Sequence, residues 1–341
     1  MPDFSRLRAL IQQDPGNRGL ARQPVRNLLT ACPDDLERSC RALKPGANLA
    51  IVTGFFIPTA QPPAAETDGP LGALFLARAL YPLGIRTSIL TDAGAARAFE
   101  TGIRICGLRR DVPLVVLPTW SESQSLGAEE YRKRAFTQTG SPTHLLAIER
   151  VGPSHTLHSL KRQLEATNEQ DENYLIFAET VPDERQDRCQ TMRGIDITER
   201  MSPAHWLFES SADDPTRPAT LAIGDGGNEI GMGKIPWQVI HANIPGGGPI
   251  ACRIAADHLI VAGVSNWGAY ALAAGVYALL GAKPAPTLFD SAMERRILER
   301  MVASGPLVDG VLGRPSVTVD GLTWDAYADV LTKCGDWIEG R

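Results

Sequence analysis

Two carboxylates and an amide stand among five glycines in Gly224-Asp225-Gly226-Gly227-Asn228-Glu229-Ile230-Gly231-Met232-Gly233-Lys234, directly after the apolar run 220–223. Glycine at that density costs backbone entropy, which a plain turn explains poorly. It lets backbone N–H groups approach a ligand closely and presents Asp225, Asn228 and Glu229 together. The spacing departs from G-x-G-x-x-G, and no Ser or Thr follows Lys234, so neither a dinucleotide fold nor a P-loop is indicated. No nucleotide cofactor is expected.

Three further clusters could share in the chemistry. Glu66-Thr67-Asp68-Gly69-Pro70 sits after a Pro-rich loop and before a helical period. Pro70 suits the first helical position and Asp68 or Gly69 the cap, so a plain helix cap and a carboxylate site at a helix N-terminus both fit. Glu149-Arg150 closes an apolar run; it reads as a surface ion pair or as a grip on an amino-acid substrate, with Arg150 forking a carboxylate. Ser265-Asn266-Trp267-Gly268 could donate to a substrate oxyanion or simply cap the helix that follows. The six histidines are scattered, and neither H-E-x-x-H nor G-x-S-x-G occurs. Acid–base and metal chemistry therefore falls to carboxylates. Glu66, Asp68, Glu149, Asp225 and Glu229 are all hard oxygen donors, the set for Mg²⁺ or Mn²⁺ rather than zinc. The glycine loop and the 66–70 segment are expected to face one another across one cleft.

Such groups need a scaffold. The 341 residues suffice for a large core, and 43% hydrophobic with 21% charged residues is ordinary globular composition. The net charge of -5 argues against non-specific nucleic-acid binding. Six cysteines without a C-x-x-C pair read as reduced thiols of a cytoplasmic protein. The first residues carry no secretory signal pattern. Residues 259–282 are uncharged and long enough to cross a bilayer, yet they divide into a strand (259–264), a polar turn at Ser265 and Asn266, and a small-residue helix.

The N-terminal fifth reads as helices over 4–13, 24–31 and 34–43. Short apolar runs then predict strands over 48–52, 86–90, 112–117, 145–148, 220–223 and 259–264, with a helix over 70–81. Buried strands alternating with helices predict an α/β fold, a mainly parallel sheet covered by helices on both faces. Residues 1–46 form a helical segment packed on a 47–341 domain, with 155–188 as a polar insertion or lid and 210–218 as a loop.

Taken in order, VTGF (52–55), ETDGP (66–70), AIER (147–150), MRG (192–194), GDGGNEIGMGK (224–234) and VAGVSNWGAYALA (261–273) resemble the D-glutamate cyclase family, its C-terminal domain and its bacterial single-domain relatives. DPGNRG (14–19) also resembles the start of the bacterial members. Two departures stand out: Cys189-Gln190 where the family usually carries two tyrosines, and the long 155–188 insertion.

The resemblance implies a hydro-lyase that cyclises D-glutamate to 5-oxo-D-proline with loss of water. On that reading Asp68, Asp225 and Glu229 are catalytic. Thr53, Gly54, Thr67, Gly69, Arg150, Arg193, Gly226, Gly227, Asn228, Ser265 and Asn266 contact the substrate, an acidic amino acid or oxo-acid. Rival readings are a metal-dependent hydrolase of a phosphate ester or lactam, and a non-catalytic amino-acid or oxo-acid binding module. No membrane or nucleic-acid partner is expected, and homo-oligomerisation is left open.

Overall fold

Six parallel strands form the central sheet: β1 (Asn48–Thr53), β4 (Arg86–Thr91), β5 (Leu114–Val116), β6 (His144–Ile148), β7 (Ala219–Gly224) and β8 (His258–Val261). A small second sheet joins β2 (Phe56–Ile57), β3 (Ala64–Glu66) and β9 (Leu307–Val308). The computed structural model describes residues 2–167, 172–209 and 216–340.

Alternation along the strands makes two cores. Leu49, Ile51, Ile89, Leu146, Ile148, Leu221 and Ile223 face one layer of helices. Ala50, Val52, Leu90, Leu145, Ala147 and Ala222 face the other. Successive side chains in a strand point to opposite faces, so strands buried on both sides must be apolar throughout. The first layer includes the helices Phe4–Ile11, Asp35–Ala42, Pro70–Leu80, Ala93–Ile105, Ser265–Leu280, Ser291–Ser304 and Trp324–Glu339. The α/β class expected from the sequence is thus what the chain forms.

The strand order is β5-β4-β1-β6-β7-β8. Counted along the chain that is 3-2-1-4-5-6, with the winding reversing between β1 and β6. Open α/β sheets bind ligands outside the carboxyl ends of the strands at such a reversal. Glu149 follows β6 there, and Gly54 follows β1.

Several expectations need correction. Of the helix predicted over 24–31 only Leu28–Ala31 forms, because Asn27 caps it, accepting from the Thr30 N–H at 3.0 Å. Ser265 and Asn266 are the first helical residues rather than a turn, and β8 ends at Val261. The polar stretch 155–188 holds two helices, Leu157–Thr167 and Glu172–Thr180, which bury Leu160, Leu164 and Phe177 in the second core. Gln163 there donates to the carbonyls of Gly233 and Ile235 at 2.8 and 3.1 Å, bracing the chain just past the glycine loop. Residues 168–171 of that stretch, and 210–215 of the loop predicted over 210–218, lie outside the described residues. The uncharged 259–282 stretch is core, and no helix among the described residues is long and apolar enough to cross a membrane.

Candidate active site

Glu149 leaves β6 with φ +42, a left-handed conformation that a side chain with a Cβ adopts only when its surroundings hold it. Its carboxylate accepts the Ser265 hydroxyl at 2.6 Å. The reversal sends the next side chain the other way. Arg150 is fully buried and forks Asp92, while donating to the carbonyls of Gly54 (3.1 Å) and Ser202 (2.7 Å). The bidentate grip expected of Arg150 is therefore spent on Asp92, at the end of β4.

Two helices cap one another across the site. Asp68 accepts the backbone N–H groups of Ser265 and Asn266, each at 2.8 Å, at the start of the Ser265–Leu280 helix. Asn266 returns the favour through Oδ1, which accepts from Gly69 at 2.9 Å and Gly72 at 2.7 Å at the start of the Pro70–Leu80 helix. Gly69 is the cap residue expected from the sequence and its N–H also reaches Asp68 Oδ1 at 3.0 Å, but the side-chain acceptors for Gly72, Ser265 and Asn266 come from the start of the opposite helix. Gly69 makes the turn at φ +87, and a Cβ there would stand 2.7 Å from that of Glu149. Beside it the buried Thr53 Oγ1 has no hydrogen-bond partner among the described residues. Thr67 Oγ1 donates to the Thr318 carbonyl at 2.8 Å.

The glycine loop is folded around Glu229. Its two oxygens accept from the N–H groups of Asp225 (2.8 Å), Gly226 (2.6 Å) and Gly227 (2.7 Å). Asn228 donates Nδ2 to the Gln190 carbonyl at 2.8 Å. The loop's N–H groups thus serve its own Glu229, and Asp225 is left facing the cleft.

Two groups at the centre, Arg18 and Asp320, are not among the site residues expected from the sequence. Arg18 pairs with Asp225 through Nη1 and with Asp320 through Nη2, the latter at 2.6 Å. Asp14 shapes the loop that delivers it, accepting from the N–H groups of Arg18, Gly19 and Leu20 at 2.9 to 3.0 Å. Asp320 rides on a second loop, built around Asp309, which accepts from the N–H groups of Val311, Leu312 and Gly321. DPGNRG was a visible signal for Arg18, since an acidic residue four before an arginine, broken by Pro and Gly, is a turn that aims a cation.

The N-terminal loop docks where Gly263 leaves room: a Cβ there would fall 1.5 Å from the Gln13 carbonyl oxygen. Gly263→Ala is expected to cost ~1–3 kcal/mol or more, the scale of overpacking, and to displace Arg18. Denaturant unfolding measures the first effect and proteolysis of the first twenty or so residues the second.

The cleft, about 140 Å³, is lined by Glu66, Glu149, Asp225 and Asp320 with Arg18, Asn228 and, at its exposed rim, Arg193. That is well under the ~300 Å³ at which drug-sized ligands begin to fit, so the occupant is small. Burial first, and neighbouring carboxylates second, push Glu66 and Glu149 well above the usual carboxylate range. Asp225 is raised likewise by burial, although Arg18 pulls the other way. Burial, with Asp320 beside it, pushes Asp68 up to about 7, although the Asn266 and Ser265 N–H groups oppose this. Burial alone would lower Arg18, but Asp225 and Asp320 outweigh it and hold the guanidinium charged. One oxygen each from Asp68, Asp225 and Asp320 lie within 4.8 Å of one another, as do oxygens of Glu149, Asp225 and Glu229. Glu66 belongs to neither group, and Asp225 belongs to both.

The sequence has recognisable relatives. The model of the family described as D-glutamate cyclase-like, C-terminal, matches residues 7–334. The mitochondrial D-glutamate cyclase of Homo sapiens is 28% identical over 355 residues, an alignment that takes in 97% of this chain and 51% of that protein. The chain thus spans about half the length of that relative.

Proposed function

Because this chain belongs to the D-glutamate cyclase-like family, we propose that it is a hydro-lyase converting D-glutamate to 5-oxo-D-proline and water. The observation that supports this best is a set of buried carboxyl groups crowded around one arginine, with Asp68 raised to about 7 and Glu66, Glu149 and Asp225 raised well above the usual carboxylate range. In the reaction the α-nitrogen bonds to the carbon of the γ-carboxyl group, and one oxygen of that group leaves as water. The ammonium group loses two protons and the leaving oxygen gains two, so the site shuttles protons without consuming them. A shuttle needs one group that accepts and one that donates near neutral pH. Carboxyls held at raised pKa by burial and by one another supply both. Asp225 faces the nitrogen as acceptor, and Glu149, held by the Ser265 hydroxyl, donates to the oxygen. Arg193 at the rim takes the substrate's α-carboxylate.

The donor set also fits a divalent cation such as Mg²⁺ or Mn²⁺: crowded carboxylates, all oxygen, with Asp225 common to both groups. Asp68, Asp225 and Asp320, or Glu149, Asp225 and Glu229, would hold it. Bound there, such an ion polarises a carboxyl oxygen as a Lewis acid. Incubation with D- and L-glutamate, with and without Mn²⁺, followed by chromatography for 5-oxoproline, tests the reading. Folded protein that yields none from either enantiomer would overturn it.

The same carboxyls predict a pH dependence of stability. A group whose folded pKa exceeds its unfolded value stabilises fully below the unfolded pKa and loses that contribution as pH rises through the folded one. For Asp68 the window runs from the ordinary value of 3.8 to about 7. The thermal midpoint of cation-free protein is expected to fall as pH rises from about 4 to about 7. Asp68→Asn should flatten the slope, and Mn²⁺ should restore stability at the alkaline end. A midpoint that stays level in wild type would remove the raised carboxyls from the argument.

A further inference from the structure

Among the carboxyl groups gathered at the cleft, Glu66 stands apart. Asp68 accepts the N–H groups of Ser265 and Asn266, and Glu149 accepts the Ser265 hydroxyl. Glu229 is wrapped by the glycine loop, and Asp225 and Asp320 share the Arg18 guanidinium. Glu66 lines the same cleft and is only 6% exposed. Its carboxyl makes no hydrogen bond or ion pair among the described residues.

The small sheet sets that position. β3 and β9 run parallel with Glu66 opposite Val308, and the chain just past β9 brings Gly310 against the Glu66 carboxyl. A Cβ at Gly310 would collide with Glu66 Oε2. The φ of Gly310 lies outside the left-handed region, so this glycine answers to the carboxyl rather than to a turn. Phe55, Ile57 and Val311 also line the cleft.

A buried carboxyl that only filled a structural role would have a partner to offset its lost hydration. Arg18 gives both terminal nitrogens to Asp225 and Asp320. Burial first, then Asp320 and Asp68, hold Glu66 well above the usual carboxylate range, with Asp309 adding to them and Arg18 opposing. A cation set against it would restore the charged form. The oxygen groups suited to a metal ion leave Glu66 out, which leaves a cation carried by the ligand itself. A cleft of about 140 Å³ suits a compact ammonium.

We propose that Glu66 is a specificity-determining residue that receives the ammonium group of an amino-acid ligand, in the space Gly310 leaves for its carboxyl. Glu66 holds the nitrogen while Asp225 takes its proton, in the cyclase reading on which this role rests. Two sulfonates test it without turnover, because neither can close a lactam ring. They are D-homocysteate, the sulfonate analogue of D-glutamate, and 4-sulfobutanoate, the same chain without the amine. Titration calorimetry on the full chain should show wild type favouring the amine by at least ~10-fold, the scale of a charge-assisted hydrogen bond. Glu66→Gln keeps the size and removes the charge. It should weaken D-homocysteate by at least ~10-fold and 4-sulfobutanoate by no more than about twofold, which erases the preference. Gly310→Ala keeps the carboxyl but displaces it. It should reduce the preference by less, and it decides the matter if Glu66→Gln does not fold. A wild type that binds both alike or neither, or a preference that survives in both variants, overturns the proposal. Chromatography for 5-oxoproline from D-glutamate, on the same wild-type sample, keeps the two readings apart. A Glu66-dependent preference without 5-oxoproline would sink the cyclase reading and leave the subsite. 5-oxoproline with the preference intact in both variants would do the reverse.

Discussion

Asp225→Asn is expected to lower turnover by at least ~10²-fold, the scale of a positioned acid–base group, while the fold survives. Asp225 is the member common to both oxygen groups, and its carboxylate also meets Arg18. Asparagine keeps the size and one acceptor oxygen but can neither carry the proton nor hold a cation with full charge. The loop should keep its shape, because the Asp225 contact with Glu229 is made by the backbone N–H at 2.8 Å, which the substitution leaves alone. Stability is subject to two opposed changes. Arg18 loses charge-assisted pairing, while Glu149, Asp68 and Glu229 lose a crowding neighbour. The relief grows with pH, so the variant's thermal midpoint should match or exceed wild type at the alkaline end. Measuring kcat beside the melting curve separates the cases. Wild-type turnover on D-glutamate would remove Asp225 from the mechanism, and activity lost only in step with unfolding would make it a loop-shaping residue.

The strands and the acidic centre were legible for one reason: both are written locally. Continuous apolar runs at 145–148 and 220–223 sit where β6 and β7 form, within one residue at either end. Carboxylates beside glycine at Asp68 and Asp225 end up with oxygens in one group. What escaped was long-range pairing. Nothing near Asp68 in the chain announces that its oxygens serve the Ser265 helix nearly two hundred residues on, nor that Asn266 repays the Gly69 turn. Glu229 looked like a second reactive carboxylate, yet folding of the loop's backbone N–H groups onto it depends on dihedral angles that no spacing reveals. At a strand's end Arg150 can be a surface ion pair or a grip on a substrate; the left-handed Glu149 before it turns the arginine inward to Asp92. Asp320 lay beyond every motif and enters only through the loop that Asp309 folds.

The second large effect belongs to Arg18. Arg18→Gln is expected to cut kcat/KM by roughly 10²-fold or more, the cost of misplacing a reacting group, because the guanidinium orients Asp225 and Asp320 together. Its side chain is 16% exposed and those of its partners 6% and 7%, so solvent screens the pairs little. Removing one partner of a buried pair costs ~3–5 kcal/mol when the other stays charged. Here the stranded Asp225 can take up a proton instead, which makes the penalty depend on pH. Arg18 lowers the Asp225 pKa against burial; without it that pKa rises further, and the variant binds a proton where wild type has released one. The stability gap between the two proteins should therefore widen as pH rises. The gap should be smallest at acid pH, where Asp225 is protonated in both proteins, and should approach the buried-pair cost toward the alkaline end. Arg18→Lys, one point charge in place of a fork, can satisfy one aspartate at a time and should recover stability better than activity. Melting curves across pH and steady-state kinetics on the three proteins check this together. A gap that stays constant with pH, joined to an unchanged kcat/KM, would make Arg18 a surface pair between two loops and return Asp225 to the cleft without a counter-ion.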